Sequence, residues 1–246
     1  MRFEKPRDPH GRALLDYFNG DGGATIVVHS DLGERDELPV AIFFRSPDGF
    51  FPFDLAALAR CRGRVLDVGA GTGVHSLYLQ ERGFDVCAID VMPEAVQIMR
   101  TRGLRDVRLA ALADLEGETF DTILMMMNGI GILGTLEGLD RFLRDAPRLL
   151  GAGGQILLDS GPPSLIGDPD DHAVQMRAGD AEGYYGETWI ELEYRGVKGP
   201  PFRELYADAD TLCRHAESAG WDVEIIHVDE HGGYVARLTR SDLTMG

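Results

Sequence analysis

The sequence predicts an α/β fold in which a mostly parallel sheet is covered by helices on both faces. Three observations support this prediction. From Arg64 onward, short apolar runs alternate with segments of helical periodicity, which is typical of successive strand–helix units. Residues 120–127 carry apolar side chains on both faces, as expected of a central parallel strand. Residues 65–73 join an apolar run to three glycines at every second position, which indicates a tight turn after a strand.

Each predicted element follows from an apolar run bounded by prolines, glycines or charged residues. The predicted strands of the sheet are residues 64–69, 86–90, 107–113, 120–127, 155–159, 222–228 and 234–238. The predicted helices are residues 72–82, 93–102, 136–150 and 209–219. Pro93 suits the first turn of its helix and Gly103 suits a C-cap. The glycines around Gly232 indicate a turn that makes the last two strands an antiparallel hairpin.

The charge balance limits the partners that the chain can bind. It has 24 basic and 41 acidic residues, which gives a formal net charge of −17. Such a surface repels phosphate groups, so we expect neither a nucleic acid nor an anionic membrane as partner. A length of 246 residues is sufficient for one α/β domain with a full core.

Signals for targeting and for metal binding are weak. The most apolar window, residues 123–136, is too short to cross a bilayer, and residues 1–6 lead into no apolar stretch of the signal-peptide type. The three cysteines lack the spacing of metal ligands. His172 follows a run rich in aspartate, for which a solvated acidic loop is a simpler explanation than a metal site. We therefore expect a cytoplasmic protein without a bound metal.

The spacing of the three glycines favours one kind of cofactor over another. Gly69, Gly71 and Gly73 form a Gly-x-Gly-x-Gly pattern, whereas dinucleotide-binding folds carry Gly-x-Gly-x-x-Gly. If the dinucleotide pattern began at Gly71, its third glycine would fall at Ser76. This departure disfavours a nicotinamide or flavin site.

An acidic residue at the end of the next strand completes the motif. Asp90 closes the apolar run 85–90 and lies 23 positions after Asp67. A carboxylate at this distance is expected at the tip of the neighbouring parallel strand, where it can accept hydrogen bonds from both hydroxyls of a ribose. The glycines and Asp90 together predict a nucleoside-binding site.

With these residues the chain resembles the class I S-adenosylmethionine-dependent methyltransferases of the bacterial small-molecule type. Residues 67–73 are similar to the glycine loop of that family, and Asp90 occupies the place of its ribose-binding acid. The similarity continues through Asp114, residues 120–121 and residues 153–158. The resemblance implies a Rossmann-like sheet of seven mostly parallel strands with a C-terminal antiparallel hairpin. It also implies S-adenosyl-L-methionine as the cofactor.

The resemblance places the cofactor beyond the carboxyl ends of the strands. It implies that Gly69, Ala70, Gly71 and Gly73 line the methionine and ribose portions of the cofactor. It further implies that Asp67 lies near the cofactor's ammonium group, directly or through water. Five of the predicted cofactor-binding residues thus come from the strand end and the turn that follows it.

Five further predicted cofactor contacts lie at the ends of the next two strands. Asp90 would bind the ribose diol, with Val91 beside it and Met92 packed on the adenine face. Asp114 would accept a hydrogen bond from the adenine amino group, and the backbone N–H of Leu115 would face a ring nitrogen. Without a cofactor, each acid could instead serve as a helix N-cap or lie in a solvated loop.

Asn128 ends the fourth strand, where the methyl donor and acceptor should meet. The segment 128–131 reads Asn-Gly-Ile-Gly and lacks the proline pair and the aromatic residue of nucleic-acid amino-methyltransferases. This difference argues against a DNA base as substrate, in agreement with the charge. We interpret Asn128 as a turn residue that contacts the cofactor.

No catalytic residue is assigned from the sequence. Methyl transfer from a sulfonium depends mainly on alignment and exclusion of water, and a general base is needed only for a protonated acceptor. The candidates for such a base are Asp159, Asp31, His29 and His172. Arg45 lies in a phenylalanine-rich segment and is either a partner of the cofactor carboxylate or a surface arginine.

The sequence divides into a cap and a methyltransferase domain. Residues 1–60 are expected to form a helical and irregular cap that serves as a lid, and residues 61–246 form the methyltransferase domain. An insertion at about 161–207, with a hairpin through 189–194, would shape the acceptor pocket or pair with a second subunit. The predicted activity is methyl transfer to a small molecule. The alternatives are a protein methyltransferase and a non-catalytic adenosylmethionine-binding protein, and the oligomeric state is not assigned.

Overall fold

The computed structural model describes residues 9–31, 35–165 and 184–241, which contain two β-sheets and flanking helices. The strands in chain order are β1 (Thr25–Ser30), β2 (Arg35–Pro39), β3 (Arg64–Val68), β4 (Asp85–Asp90), β5 (Asp106–Leu109), β6 (Phe120–Met125), β7 (Leu150–Ser160), β8 (Glu187–Tyr194), β9 (Val197–Lys198), β10 (Phe202–Leu205), β11 (Trp221–Val228) and β12 (Tyr234–Arg240). The α-helices are α1 (Pro9–Phe18), α2 (Pro52–Leu58), α3 (Val74–Glu81), α4 (Pro93–Thr101), α5 (Leu136–Asp145) and α6 (Ala209–Ser218).

The larger sheet has seven strands in the order β11-β12-β7-β6-β3-β4-β5. The neighbours from β7 to β5 pair in parallel, whereas β12 is antiparallel to both β7 and β11. In this sheet, β12 is therefore the only strand that runs antiparallel to the other six. The predicted Rossmann-like sheet with a C-terminal antiparallel hairpin is confirmed.

The core of this sheet lies around β6. Ile123, Leu124 and Met125 are each fully buried, and consecutive residues point to opposite faces of a strand. Both faces of β6 are thus covered, as the sequence predicts. On one face, α5 contributes the helical stripe of Leu139 and Leu143 to the same apolar cluster as Ile123 and Met125.

The helix ends follow local chemistry. Thr135 caps α5 by accepting a hydrogen bond from Gly138 N at 3.0 Å. Gly103 follows α4 with φ of 92°, and the N–H of Leu104 donates to the carbonyl of Met99, so the predicted glycine C-cap is confirmed. The longest helix of the described segments has 10 residues. No helix in these segments is long and apolar enough to cross a membrane.

Several element boundaries differ from those that the sequence predicts. The helix expected over 136–150 ends at Asp145 and continues as a 3₁₀ turn, because Pro147 lacks the N–H that an α-helix requires. The strand expected over 107–113 ends at Leu109, and a 3₁₀ turn forms at Leu112–Asp114.

The smaller sheet was not predicted. Its strands follow the order β10-β8-β1-β2, with β9 paired to β8. The expectation that residues 1–60 are only helical and irregular is wrong for β1 and β2. The reason is that β1 pairs antiparallel with the distant β8, with Val28 opposite Leu192, and β2 exposes most of its polar side chains. Residues 187–198 do form the hairpin predicted through 189–194.

The smaller sheet and α1 pack together beside α4 of the larger unit. Leu14 of α1, Ile26 of β1 and Tyr194 of β8 belong to one buried cluster that also includes Ile98 of α4. The N-terminal segment and the segment after β7 therefore meet in a shared core. This arrangement brings both segments to the carboxyl ends of the parallel strands.

Candidate functional site

The glycine turn after β3 has a conformation that depends on its three glycines. Gly69, Gly71 and Gly73 have φ values of 68°, 57° and 80°, a region that other residues adopt at a cost. A Cβ atom at Gly73 would lie 2.6 Å from Cδ1 of Leu104, whereas one at Gly69 or Gly71 would meet no atom closer than 4.0 Å. Gly73 is thus required for packing, while Gly69 and Gly71 border open space that a ligand can approach.

The carboxylate of Asp90 is fixed beside this turn. One oxygen accepts a hydrogen bond from Gly71 N and the other from Met92 N, each at 2.8 Å. Burial raises the pKa of Asp90, and the two backbone hydrogen bonds oppose this shift. Each carboxylate oxygen can accept a second hydrogen bond, so Asp90 is able to hold the two hydroxyls of a ribose.

Asp67 is a second buried acid on the same side of the turn. Its carboxylate accepts a hydrogen bond from Ser76 Oγ at 2.6 Å. Burial raises the pKa of Asp67, while the nearby His75 and the hydrogen bond from Ser76 act in the opposite direction. The side chain therefore offers a fixed acceptor at the end of β3.

A cavity lies between the glycine turn and the N-terminal segment. Asp67 and Asp90 line one side of it, and His10, Leu14 and Phe43 line another. A ligand in this cavity would be shielded from water by apolar side chains and would meet two carboxylates.

The N-terminal segment is attached directly to the glycine turn. Thr72 Oγ1 donates a hydrogen bond to the carbonyl of Phe43. Arg102 donates to the carbonyl of Thr72 at 2.7 Å and places its guanidinium 5.7 Å from the centre of the Phe44 ring. These contacts hold residues 43–44 over the turn.

A buried ionic cluster supports the same region. Asp54 Oδ1 lies 2.8 Å from Arg45 Nη2 and 2.8 Å from His75 Nε2, and Asp54 is fully buried. Burial alone would raise the pKa of Asp54, but the hydrogen bonds and charges of His75 and Arg45 lower it below its usual value. The cluster joins the N-terminal segment, α2 and α3.

The turn after β6 is strained and is held by an acid. Met127 and Asn128 have φ values of 67° and 54°; this left-handed region is unfavourable for methionine, whereas asparagine adopts it more readily. Asp159 accepts hydrogen bonds from Met127 N at 3.0 Å and from Gly129 N at 2.7 Å. Burial raises the pKa of Asp159 to about 6. Asp159 thus stabilises a conformation that the sequence of the turn disfavours.

A second pocket adjoins the first across this turn. Met127 and Gly129 line the cavity beside the glycine turn, while Asn128 lines the second pocket. The second pocket has a volume of about 150 Å³. It is lined by residues of α2, of the β6 and β7 ends, and of the segments that follow β10 and β11: Phe53, Asn128, Asp159, Ser160, Gly161, Tyr206, Asp229, Gly233 and Tyr234.

Comparison with a solved structure identifies the family. A methyltransferase from Bacteroides fragilis, described as SAM-dependent and crystallised with S-adenosyl-L-homocysteine, is 38% identical and superposes with a TM-score of 0.82. The match covers 96% of this chain and 95% of that chain. This chain belongs to the S-adenosylmethionine-dependent methyltransferases. The sequence model of the family described as methyltransferase domain matches residues 65–154.

This membership confirms the predicted enzyme class and cofactor. The chain is a class I methyltransferase, and its cofactor is S-adenosylmethionine. The two buried acids and the glycine turn fit such a group, since a nucleoside with a charged amino acid arm requires hydrogen-bond acceptors in a cleft with room for close backbone approach.

Two curated relatives resemble the central part of the methyltransferase. The ubiquinone biosynthesis O-methyltransferase of Xanthomonas oryzae pv. oryzae is 34% identical over 113 residues, which are 43% of this chain and 46% of that enzyme. The demethylmenaquinone methyltransferase of Tropheryma whipplei is 35% identical over 99 residues, which are 38% of this chain and 40% of that enzyme. This chain therefore spans less than half the length of these curated relatives.

Most of the predicted cofactor-binding residues lie together in the first cavity. Those that line it are Asp67, Gly69, Ala70, Gly71, Asp90 and Met92. Gly73 lies behind the turn, where it packs against Leu104 and Met99. Val91 is 53% exposed beside the cavity.

Besides Gly73 and Val91, three predicted residues do not line this cavity. Asp114 is exposed and accepts a hydrogen bond from Ala111 N at 2.8 Å. Leu115 is buried in the main core. Asn128 lines the second pocket and donates a hydrogen bond to Glu204 Oε1 at 2.9 Å. Their roles as cofactor contacts stay predictions.

The candidate bases are separated by the fold. Asp159 lines the second pocket. His29 lies 2.8 Å from a carboxylate oxygen of Glu193 in the smaller sheet, and Asp31 accepts a hydrogen bond from Thr188 Oγ1 at 2.8 Å in the same sheet. His172 lies outside the described residues. Asp159 is therefore the candidate that the described part of the chain places at the site.

Sequence reasoning missed several residues of the site. The sequence leaves Arg45 open as a partner of the cofactor carboxylate or a surface arginine, whereas the structure buries its side chain against Asp54 beside His75. His75 lies two residues after Gly73, so its position after the glycine turn was a usable signal. Tyr206 follows β10 in a segment without a recognisable motif, and no signal in the sequence indicates its role.

Proposed function

We propose that this methyltransferase transfers the methyl group of S-adenosylmethionine to a small molecule held in the second pocket, which we call the acceptor pocket. The pocket volume of about 150 Å³ carries this proposal. A cavity of about this size in another protein binds benzene, so the pocket has room for an acceptor whose reacting part is about the size of one ring.

The proposed cofactor contacts follow from the first cavity. Asp90 accepts hydrogen bonds from the ribose hydroxyls, and Gly69 and Gly71 allow the cofactor to approach the backbone. Asp67 lies near the ammonium group, and Met92 packs beside the base. These assignments use the two fixed carboxylates and the open space above the turn.

The chain's own residues align the reaction and exclude water. The bound cofactor supplies an activated methyl group on a sulfonium. His10, Leu14 and Phe43 cover the cavity, which lowers the local dielectric and keeps water from the reacting atoms. The turn held by Asp159 borders both the cavity and the acceptor pocket, and it sets the position of one ligand relative to the other.

Labelled cofactor tests the proposal. Purified enzyme is incubated with S-adenosylmethionine labelled in the methyl group and with a metabolite extract that contains residual protein. The proposal is supported if label appears in a small product and the amount of this label increases with the enzyme concentration. Label in protein bands instead would favour a protein methyltransferase, and label in neither fraction would contradict methyl transfer to either class.

A further inference from the structure

The lining of the acceptor pocket combines aromatic rings with acids. Phe53, Tyr206 and Tyr234 contribute three rings, and Asp159 and Asp229 contribute two carboxylates. Among the described residues that line this pocket, none is a lysine, arginine or histidine. Rings and carboxylates together bind organic cations, whereas an anionic ligand would find no charged partner in this lining.

The carboxylates are fixed by the fold before any ligand arrives. Asp229 accepts hydrogen bonds from His231 N and Gly233 N, each at 2.8 Å, and so shapes the turn between β11 and β12. Asp159 is held in the same way by the turn after β6. Since backbone donors set both positions, a cation bound between them requires little rearrangement of the protein.

A third acid lies behind the pocket wall. Glu204 accepts a hydrogen bond from Asn128 Nδ2, and Asn128 itself lines the pocket. Tyr234 donates its hydroxyl to the carbonyl of Ala207 at 2.8 Å. The hydroxyl of this residue is thus engaged away from the pocket, and its contribution to the wall is the ring.

The charge of the whole chain acts in the same direction. A formal net charge of −17 attracts cations to the surface and repels anions over several ångströms. A recess lined by acids concentrates this field. Both the long-range potential and the local lining therefore select against carboxylate or phosphate acceptors.

We infer that the acceptor is a small amine that enters the pocket as an ammonium ion and is methylated on nitrogen. This inference rests on the proposed function, because it assigns a chemical class to the acceptor of the same pocket. The rings face the alkylammonium group, and the carboxylates balance its charge.

The reaction balances with Asp159 as the proton acceptor. The ammonium group gives one proton to the Asp159 carboxylate, and the neutral nitrogen then uses its lone pair to bond the methyl carbon. The carbon–sulfur bond breaks, its electron pair stays on sulfur, and S-adenosylhomocysteine is the second product. Asp159 afterwards releases its proton to water. The raised pKa of Asp159 supports this role, since it makes the carboxylate a stronger base.

Charge fractionation of the labelled products tests the inference. Unreacted donor is itself cationic and is removed by chromatography, after which the products are separated on cation and anion exchangers. Label in the cationic small products supports an amine acceptor. Label in neutral or anionic small products would overturn the amine while leaving small-molecule transfer intact. Label only in protein, or nowhere, would instead overturn the proposed function.

A matched set of probes tests the pocket directly. Benzylamine, benzyl alcohol and benzoate share one ring and differ in the charge of the substituent. On enzyme saturated with S-adenosylhomocysteine, we expect benzylamine to bind at least about tenfold more tightly than benzoate, with benzyl alcohol between them. Equal affinities, the reverse order, or no benzylamine binding at millimolar concentration would contradict the inference.

Two variants test whether Asp229 is responsible for the preference for benzylamine. Asp229→Asn should reduce the preference for benzylamine over benzyl alcohol several-fold, while the affinity for S-adenosylhomocysteine stays unchanged. Asp222→Asn, at the exposed opposite end of β11, should leave the preference unaltered. If Asp229→Asn alters the turn, the wild-type order of the three probes decides the question.

Discussion

Nε2 of His75 lies 2.8 Å from Oδ1 of Asp54, and both side chains are buried. The contact links α3, which follows the glycine turn, to α2, and Arg45 extends it to the N-terminal segment. The acid that joins these three elements carries no direct contact with the proposed cofactor. Its role is to hold the walls of the cofactor cavity together.

Removing Asp54 should therefore reduce stability strongly. Asp54→Ala leaves two buried cationic or polar partners without their acceptor, and we expect a loss of about 3–5 kcal/mol in the free energy of unfolding. Urea denaturation measures the change. Glu137→Ala is the control, because its pair with Arg141 is exposed and should contribute only about 0.3–0.5 kcal/mol. A loss below about 1 kcal/mol for Asp54→Ala would contradict the structural role.

The glycine spacing predicts cofactor selectivity. We expect calorimetry to show binding of S-adenosylmethionine and S-adenosylhomocysteine with dissociation constants on the order of micromolar, and no comparable binding of NAD. The reason for rejecting NAD is that the turn lacks the third glycine of the dinucleotide pattern. Asp90 is positioned to hold the ribose of an adenosyl group. Tight NAD binding without S-adenosylmethionine binding would refute the assignment of the cavity.

Asp90 should contribute directly to that affinity. Asp90→Ala removes the acceptor proposed for the ribose hydroxyls, and we expect cofactor binding to weaken by about 1.5–3 kcal/mol. Asp85→Ala, at the exposed start of the same strand, is the matched control and should leave the dissociation constant unchanged. If Asp90→Ala binds the cofactor as tightly as the control, the ribose is held by other residues.

Gly73 and Gly83 provide a test of packing against backbone strain. Both have positive φ, 80° and 89°, so alanine at either position costs about 1–2 kcal/mol in backbone strain. Only at Gly73 would the new methyl group lie 2.6 Å from Leu104, and overpacking adds about 1–3 kcal/mol. We expect thermal unfolding to show that Gly73→Ala is less stable than Gly83→Ala by this overpacking cost of about 1–3 kcal/mol. Equal destabilisation would show that Leu104 moves aside freely.

The raised pKa of Asp159 predicts how stability changes with pH. In the folded protein this pKa is about 6, against 3.8 for the ordinary side chain. Between these values the folded state binds more protons than the unfolded state, so this group lowers stability as the pH rises. The shift corresponds to about 3 kcal/mol between pH 4 and pH 7. Subtracting the unfolding free energies of Asp159→Asn from those of the wild type isolates this dependence, and a flat difference would contradict the shift.

The larger sheet could be predicted because its signals are local. Each strand from β3 to β7 is an apolar run of a few residues, and Gly71 and Asp90 lie within one strand–helix–strand unit. The smaller sheet could not be predicted in the same way. Its β1 pairs with β8, more than 150 residues later, and only Ile26 of β1 is fully buried, so β1 has no clear alternating pattern.

The residues of the candidate site likewise divide into those that local sequence signals predict and those that depend on the tertiary fold. Asp67 and Asp90 follow from the strand–turn pattern, and the structure places both in one cavity. The position of Asp114 differs from the expected strand end, because the strand ends earlier, at Leu109, and Asp114 lies exposed in the 3₁₀ turn that follows. Its role at the adenine stays a prediction. Asp54 could not be identified, because its partners come from separate elements that only the tertiary fold brings together.

The smaller sheet also connects the segments that border the two cavities. Its β1 belongs to the segment that covers the cofactor, and its β10 carries Glu204, which is bonded to Asn128 at the acceptor. The backbone ladder joins β10 to β1 through β8. We therefore expect donor and acceptor to bind with positive cooperativity, in which case each tightens the other by the same factor.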